Sequence, residues 1–155
     1  MILRLIHPGS AGSGNLSAAG DDYQRRIRGL RTEECFIKAR KRPERGVENA
    51  LEEEGRRILA KVGTRDLLIA LDVRGKAMSS EAMAKELNGW MQGGYAAVCF
   101  ALGSAYGLHP SVRDKAHACW SFGKITLPHD LARVVLWEQL YRAGTILRAE
   151  PYHKK

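Results

Sequence analysis

The residues able to do chemistry fall into four groups. The chain ends on Pro151-Tyr152-His153-Lys154-Lys155, an aromatic ring and an imidazole followed by two amines. Such an end is either frayed or an RNA-facing arm in which Tyr152 stacks a base and His153 moves a proton. Upstream, Glu138 and Arg142 lie on the polar side of a helical pattern; by spacing alone Arg142 is a solvated charge or a functional cation. Two glycine loops each follow an apolar run. Gly12-Ser13-Gly14-Asn15-Leu16-Ser17 nearly matches a dinucleotide fingerprint, but Ser17 replaces the third glycine. Where the ribose-binding acid should stand, the chain reads Lys38-Ala39-Arg40. A flexible loop is the plainer reading, and a dinucleotide-dependent oxidoreductase is a rival. Gly103-Ser104-Ala105-Tyr106-Gly107 allows a sharp turn and close approach to a ligand. It lacks a P-loop ending and also fits an ordinary strand-to-helix turn. The cysteines, Cys35, Cys99 and Cys119, form no C-x-x-C pair, so neither zinc nor a disulfide framework is indicated.

These groups need elements to carry them. Residues 2–6 and 33–38 read as strands, with a helix from Asn15 between them. Arg40, Lys41, Arg42 and Arg45 form a basic segment that Pro43 and Gly46 make a loop. Residues 47–62 form an amphipathic helix. The apolar strand 66–71 is expected to end at Asp72, in the turn Val73-Arg74-Gly75. Ser79 and Ser80 offer an N-cap for a helix running to about Met91. Then come a strand ending at Leu102, a short helix, a strand over 120–127, and a helix over 130–148. Its predicted apolar stripe is Leu131, Val134, Val135, Leu140, Ala143, Ile146 and Leu147, with Arg133 on another face. Nearly continuous apolar strands alternating with helices predict an α/β fold, a mainly parallel sheet with helices on both faces. Ligands bind such sheets beyond the carboxyl ends of the strands, here after Ile6, Leu71 and Leu102.

The length of 155 residues suits one domain, 1–155, and no apolar run is long enough to span a membrane. The start of the chain has no basic region followed by a long apolar one, so a cytoplasmic protein is expected. The net charge of +8 makes nucleic acid the first candidate partner; a basic RNA-binding or ribosome-associated factor without catalysis is the second rival.

Several motifs occur in order: Gly103-Ser104-Ala105-Tyr106-Gly107, Trp120-Ser121-Phe122, Thr126-Leu127-Pro128-His129, Arg133-Val134, Glu138-Gln139-Leu140-Tyr141-Arg142-Ala143 and Pro151-Tyr152-His153. With them the chain resembles the RlmH family, ribosomal RNA methyltransferases of the SPOUT class. The resemblance implies a C-terminal deep trefoil knot, with knot and cofactor site over about 66–148 and a catalytic tail over 149–155. It also implies a homodimer that uses S-adenosylmethionine to methylate N3 of a pseudouridine in bacterial 23S rRNA. By motif, the cofactor contacts would be Leu71, Gly103 and the run Phe122, Gly123, Lys124, Ile125, Thr126 and Leu127. The family loop begins with two glycines; here the second is Ser104, which fits if that position has negative φ. His153 is the first candidate base and Glu138 the second. Arg142 would steady the imide anion or a phosphate, and Tyr152 would orient the base. Arg40, Lys41, Arg42, Arg45, Lys154 and Lys155 would hold the RNA backbone. Methyl transfer from a sulfonium calls for no metal, and no cluster of ligating residues suggests one.

Overall fold

The computed structural model describes residues 1–9, 14–38 and 46–154. Within them strands and helices alternate: β1 Ile2–Pro8, α1 Asn15–Arg26, β2 Arg31–Ile37, α2 Val47–Leu59, β3 Leu67–Ala77, α3 Ser80–Gln92, β4 Ala97–Leu102, α4 Pro110–Lys115, β5 Ala118–Ser121 and α5 His129–Leu147. The strands form one sheet in the order β2-β1-β4-β3-β5, and every pairing is parallel. The predicted α/β class with a parallel sheet is therefore the observed one.

The sheet is covered on both faces. β4 shows why its sequence is apolar throughout: all six residues are buried, and they alternate sides. Val98, Phe100 and Leu102 join Leu3, Leu5, Ile69, Leu87, Leu136 and Trp137 in a core shared with α3 and α5. Cys99 and Ala101 join Ile6, Leu68, Ala70, Ile58 and Val112 in a core shared with α2 and α4. Trp120 of β5 stacks on Trp90 of α3 at 5.2 Å and meets Phe100 at 6.0 Å, which pins the edge strand to the larger core. No helix among the described residues is long and apolar enough to cross a membrane.

Three expectations need correction. β3 does not stop at Leu71. It runs to Ala77, because Leu71 and Lys76 both pair with Trp120 and the residues between them bulge out. Asp72 holds the bulge: its carboxylate accepts from the Arg74 backbone N–H at 3.0 Å and from the Arg74 guanidinium at 2.9 Å. The turn expected at Val73-Arg74-Gly75 is instead a bulge inside the strand. Second, β5 ends at Ser121 rather than running to Leu127. The Ser121 hydroxyl donates to the Gly123 carbonyl at 2.8 Å and accepts its N–H at 3.1 Å, and Gly123 turns the chain at φ 119°. Apolar residues beyond that point imitate a strand in sequence, yet Ile125 is 66% exposed. Third, the buried face of α5 is Ala132, Arg133, Leu136, Trp137, Leu140 and Ala143. Leu131, Val134 and Val135 are only half-buried.

Arg133 is buried because it has partners. Glu34 of β2 accepts from Arg133 Nε at 2.7 Å, from Trp137 Nε1 at 2.6 Å and lies 3.3 Å from His7 Nε2. Arg133 also pairs with Asp21 of α1 and donates to the Ser17 carbonyl at 3.1 Å. Burial alone would raise the Glu34 pKa; the hydrogen bonds from His7, Arg133 and Trp137 win and hold it below the usual carboxylate range. This network fixes α5 against β1, β2 and α1.

Candidate active site

Two places carry the expected site residues. The first is a cleft at the β3 bulge, by the carboxyl ends of β4 and β5, the side on which a parallel sheet binds ligands. It is lined by Leu71, Asp72, Val73, Leu102, Trp120, Phe122, Gly123, Ile125, Leu127 and Ala132. Five of the eight residues expected to touch a cofactor are among them: Leu71, Phe122, Gly123, Ile125 and Leu127. Lys124 and Thr126 are exposed on the same loop, and Gly103 is buried next to Leu102.

The structure gives Gly103 a reason. A Cβ there would lie 2.2 Å from the Gly107 carbonyl oxygen, closer than any real contact. Ser104 and Gly107 form a bridge, with the Gly107 N–H donating to the Ser104 carbonyl at 2.8 Å. Among the described residues Ala149 is the one non-glycine with positive φ, so Ser104 sits in ordinary backbone. The loop tolerates serine at its second position and not a side chain at its first.

The cleft fits an adenosyl group by its chemistry. Apart from Asp72 its walls are mainly aliphatic and aromatic, and residues 122–127 are outside any strand, so their backbone is not held in a sheet ladder. Apolar walls with a few backbone donors and acceptors are what a flat heterocycle needs. Asp72, which lines the cleft, is bound to Arg74 and lies 3.4 Å from Arg113. Hydrogen bonds from Arg74 hold its carboxyl low against the effect of burial.

The second place is the tail. It is not frayed. α5 ends in a Schellman turn: Ala149 is left-handed at φ 53°, its N–H donates to the Ile146 carbonyl at 3.1 Å, and the Glu150 N–H donates to the Thr145 carbonyl at 2.9 Å. Arg148 and Glu150 close the turn with two hydrogen bonds, at 2.7 and 3.1 Å. The chain thus folds back along α5.

Tyr152 then packs edge-on against Tyr141 at 4.8 Å, with the Arg142 guanidinium 4.7 Å from its ring centre. Its hydroxyl donates to Glu138 at 3.1 Å and lies 3.5 Å from the hydroxyl of Tyr23. Arg142 pairs with Glu138, and Gln139 donates to the other Glu138 oxygen at 2.6 Å. Burial, followed by Tyr23 and Glu138, pushes the Tyr152 phenol pKa up, so it stays protonated. The fold brings Glu138, Arg142 and Tyr152 together. His153 turns aside to α3, with Nε2 at 2.8 Å from Glu81. Lys154 is exposed. Arg40, Lys41, Arg42, Arg45 and Lys155 lie outside the described residues, as do Gly12 and Ser13.

Sequence reasoning missed Tyr23 and Arg26 of α1, and Tyr141 and Glu81. Arg26 donates to the Tyr141 hydroxyl at 3.1 Å and lies 4.4 Å from the centre of that ring. Tyr23 and Arg26, three apart, share a helix face; that spacing was the available signal, but the partner face was far away in the chain.

A model of predicted SPOUT methyltransferases matches residues 1–153. A Streptococcus uberis protein named ribosomal RNA large subunit methyltransferase H is 38% identical over 99% of this chain and 100% of its own. A Streptococcus thermophilus protein of the same name is 50% identical over 104 residues, 67% of this chain and 65% of that one. Among solved structures, a probable methylase family protein from Haemophilus influenzae superposes with a TM-score of 0.59 at 16% identity, covering 99% of this chain and 70% of that one. A probable methyltransferase from Bordetella pertussis gives 0.57 at 19%, covering 92% and 95%. At such identities the two structures bear on the fold alone.

Proposed function

The chain belongs to the SPOUT methyltransferase family, and from that premise we propose that it methylates N3 of a pseudouridine in 23S ribosomal RNA. In this reading it is a cytoplasmic homodimer that uses S-adenosylmethionine, and its chain forms the family's trefoil knot over about 66–148. The observation that carries the reading is the cleft: five residues singled out by motif as cofactor contacts line one concavity at the β3 bulge, by the carboxyl ends of β4 and β5. The S. uberis and S. thermophilus relatives, by their names, act on ribosomal RNA of the large subunit.

Bound there, S-adenosylmethionine would supply an electrophilic methyl group on a sulfonium. The chain's residues do the rest. Leu71, Phe122, Ile125 and Leu127 exclude water, and the loops at Gly103 and Gly123 let backbone approach closely. Tyr152, held protonated, donates and stacks. Arg142 presents a cation where negative charge develops on the base. His153 takes the N3 proton. Arg40, Lys41, Arg42, Arg45, Lys154 and Lys155 meet the RNA phosphates.

None of Glu138, Arg142, Tyr152 and His153 lines the cleft. Arg142 lies ten residues beyond Ala132, about 15 Å along the helix. In this reading the tail of one subunit therefore serves the cleft of its partner. The half-buried Leu131, Val134 and Val135 on α5 supply apolar surface for such a dimer. Mapping methylated nucleotides in ribosomal RNA from cells with and without the gene tests the activity: loss of a single methylpseudouridine is expected, and an unchanged map overturns the reading.

A further inference from the structure

We propose that Glu81 is a positioning residue for His153, fixing the imidazole so that Nε2 bears the proton and Nδ1 offers its lone pair to N3–H of the target base. This rests on the methyltransferase reading above. His153 Nε2 lies 2.8 Å from Glu81 Oε1. An ionised carboxylate only accepts, so the ring nitrogen facing it carries hydrogen; a neutral imidazole has one N–H, so Nδ1 is left as the acceptor. That Nδ1 is buried and meets no hydrogen-bond partner among the described residues. A buried polar atom without a partner is rare, and it is often explained by function. A substrate N–H would satisfy it, and such contacts commonly close only when the substrate arrives.

Glu81 is well placed to direct the ring. It stands in the first turn of α3, after Ser79, whose side chain caps the helix by accepting the Ala82 N–H at 3.1 Å. Glu81's own backbone N–H, then Ser79 and His153, keep its carboxylate below the usual range, so it is ionised at neutral pH. Glu138, the other carboxylate of the cluster, is engaged by Arg142, Tyr152 and Gln139 and has less freedom to take a proton. Around the tail, then, Glu81 faces His153 from α3, while Glu138 and Arg142 face Tyr152 from α5. In the transfer, the N3–H bond breaks and its proton goes to Nδ1, giving an imidazolium that Glu81 stabilises. The electron pair on N3 forms the bond to carbon, and the methyl–sulfur pair stays on sulfur.

The experiment compares wild type, Glu81→Gln and Glu81→Asp by nitrogen NMR of the His153 ring, by turnover on ribosomes lacking the modification, and by calorimetry with S-adenosylhomocysteine. The wild-type spectrum should show protonated Nε2 and bare Nδ1. Glu81→Gln should mix the tautomers and lower kcat by roughly 100-fold, with KM for the methyl donor, calorimetric affinity and Tm unchanged. Glu81→Asp should recover part of the rate. A wild-type ring protonated on Nδ1, or a Glu81→Gln enzyme of full kcat, overturns the proposal. So does a slow Glu81→Gln enzyme with an unaltered tautomer. Wild-type protein that leaves ribosomes unmethylated overturns the functional reading instead, while the spectrum still decides the Glu81–His153 geometry.

Discussion

The cleft and the tail cluster are built from opposite materials. The cleft is mostly backbone and hydrocarbon, with Asp72 the charged group in its lining: its shape comes from strand ends, from Gly103 packed against Gly107, and from the turn at Gly123. The tail is side chains: Glu138, Arg142, Tyr152, Tyr23 and Arg26 hold one another by charge, hydrogen bonds and ring contacts. A site made of backbone is set by the fold and resists most substitutions, except those that add atoms. A site made of side chains can be dismantled one group at a time without disturbing the sheet. The two should therefore fail independently.

The largest effects separate them. Removing Tyr152 to Lys155 should reduce methylation by more than about 10³-fold, the scale at which placement and proton transfer are lost together. Cofactor affinity by calorimetry should hardly change; its loss would show that the two regions are one. Gly103→Val should do the reverse, abolishing cofactor binding while Tyr152 stays docked, as read by ring-current shifts in NMR. Mixing the two inactive proteins should restore part of the activity if the tail serves its partner's cleft. Continued inactivity of verified mixed dimers would assign both parts to one subunit.

A second contrast lies within α5, between its buried and half-buried charges. Arg133→Met leaves Glu34 in the core with less compensation and should destabilise the fold by about 3–5 kcal/mol in urea titrations. Arg142→Met, at the more open end, should cost far less stability. Equal losses would show that the Glu34 network is no more structural than the tail. The same network predicts acid sensitivity. Glu34 has a folded pKa below its ordinary 4.5, so its contribution is complete above that value and is lost as pH falls through the lowered folded pKa. The Arg133→Met protein should show a shallower decline of stability over that range.

This difference in material also explains what was legible in the sequence. The parallel sheet could be read from apolar runs such as 97–102, because burial on both faces leaves no other pattern. Gly103 and the 122–127 run could be reached by motif, since backbone sites need particular residues at particular places. The strand end at Ser121 could not: Phe122, Ile125 and Leu127 continue an apolar pattern, and only a side-chain hydroxyl and Gly123 stop it. Arg133 misled for a related reason. A charge on a helix is read as solvated, and its partners Glu34 and Asp21 are about a hundred residues away. Tyr23 and Glu81 were invisible as site residues because each becomes one only through the returning tail.

Tyr23 offers a smaller test of that return. Tyr152 donates to Glu138 at 3.1 Å, and its hydroxyl also lies 3.5 Å from that of Tyr23. Tyr23→Phe removes one long hydrogen bond and should slow turnover by roughly fivefold, about 1 kcal/mol. The methyl donor's affinity should not move. A rate equal to wild type would reduce Tyr23 to a packing surface for Tyr141, whose ring lies 6.0 Å away.

The smallest effect concerns the turn that makes the tail possible. Ala149 holds φ 53°, a conformation that costs a side-chain-bearing residue about 1 kcal/mol and glycine almost nothing. Ala149→Gly should relieve that strain, while glycine's greater freedom in the unfolded chain offsets part of the gain. The net should be a stabilisation of about 0.5 kcal/mol, since glycine is the residue this turn normally takes. Turnover is the sharper reading. If the turn serves only to reverse the chain, Ala149→Gly keeps full activity, because the hydrogen bonds from Ala149 and Glu150 are made by backbone. If activity falls while stability rises, the alanine is stiffening the tail so that Tyr152 and His153 reach one place. The tail would then share with the cleft a dependence on backbone that its side chains conceal.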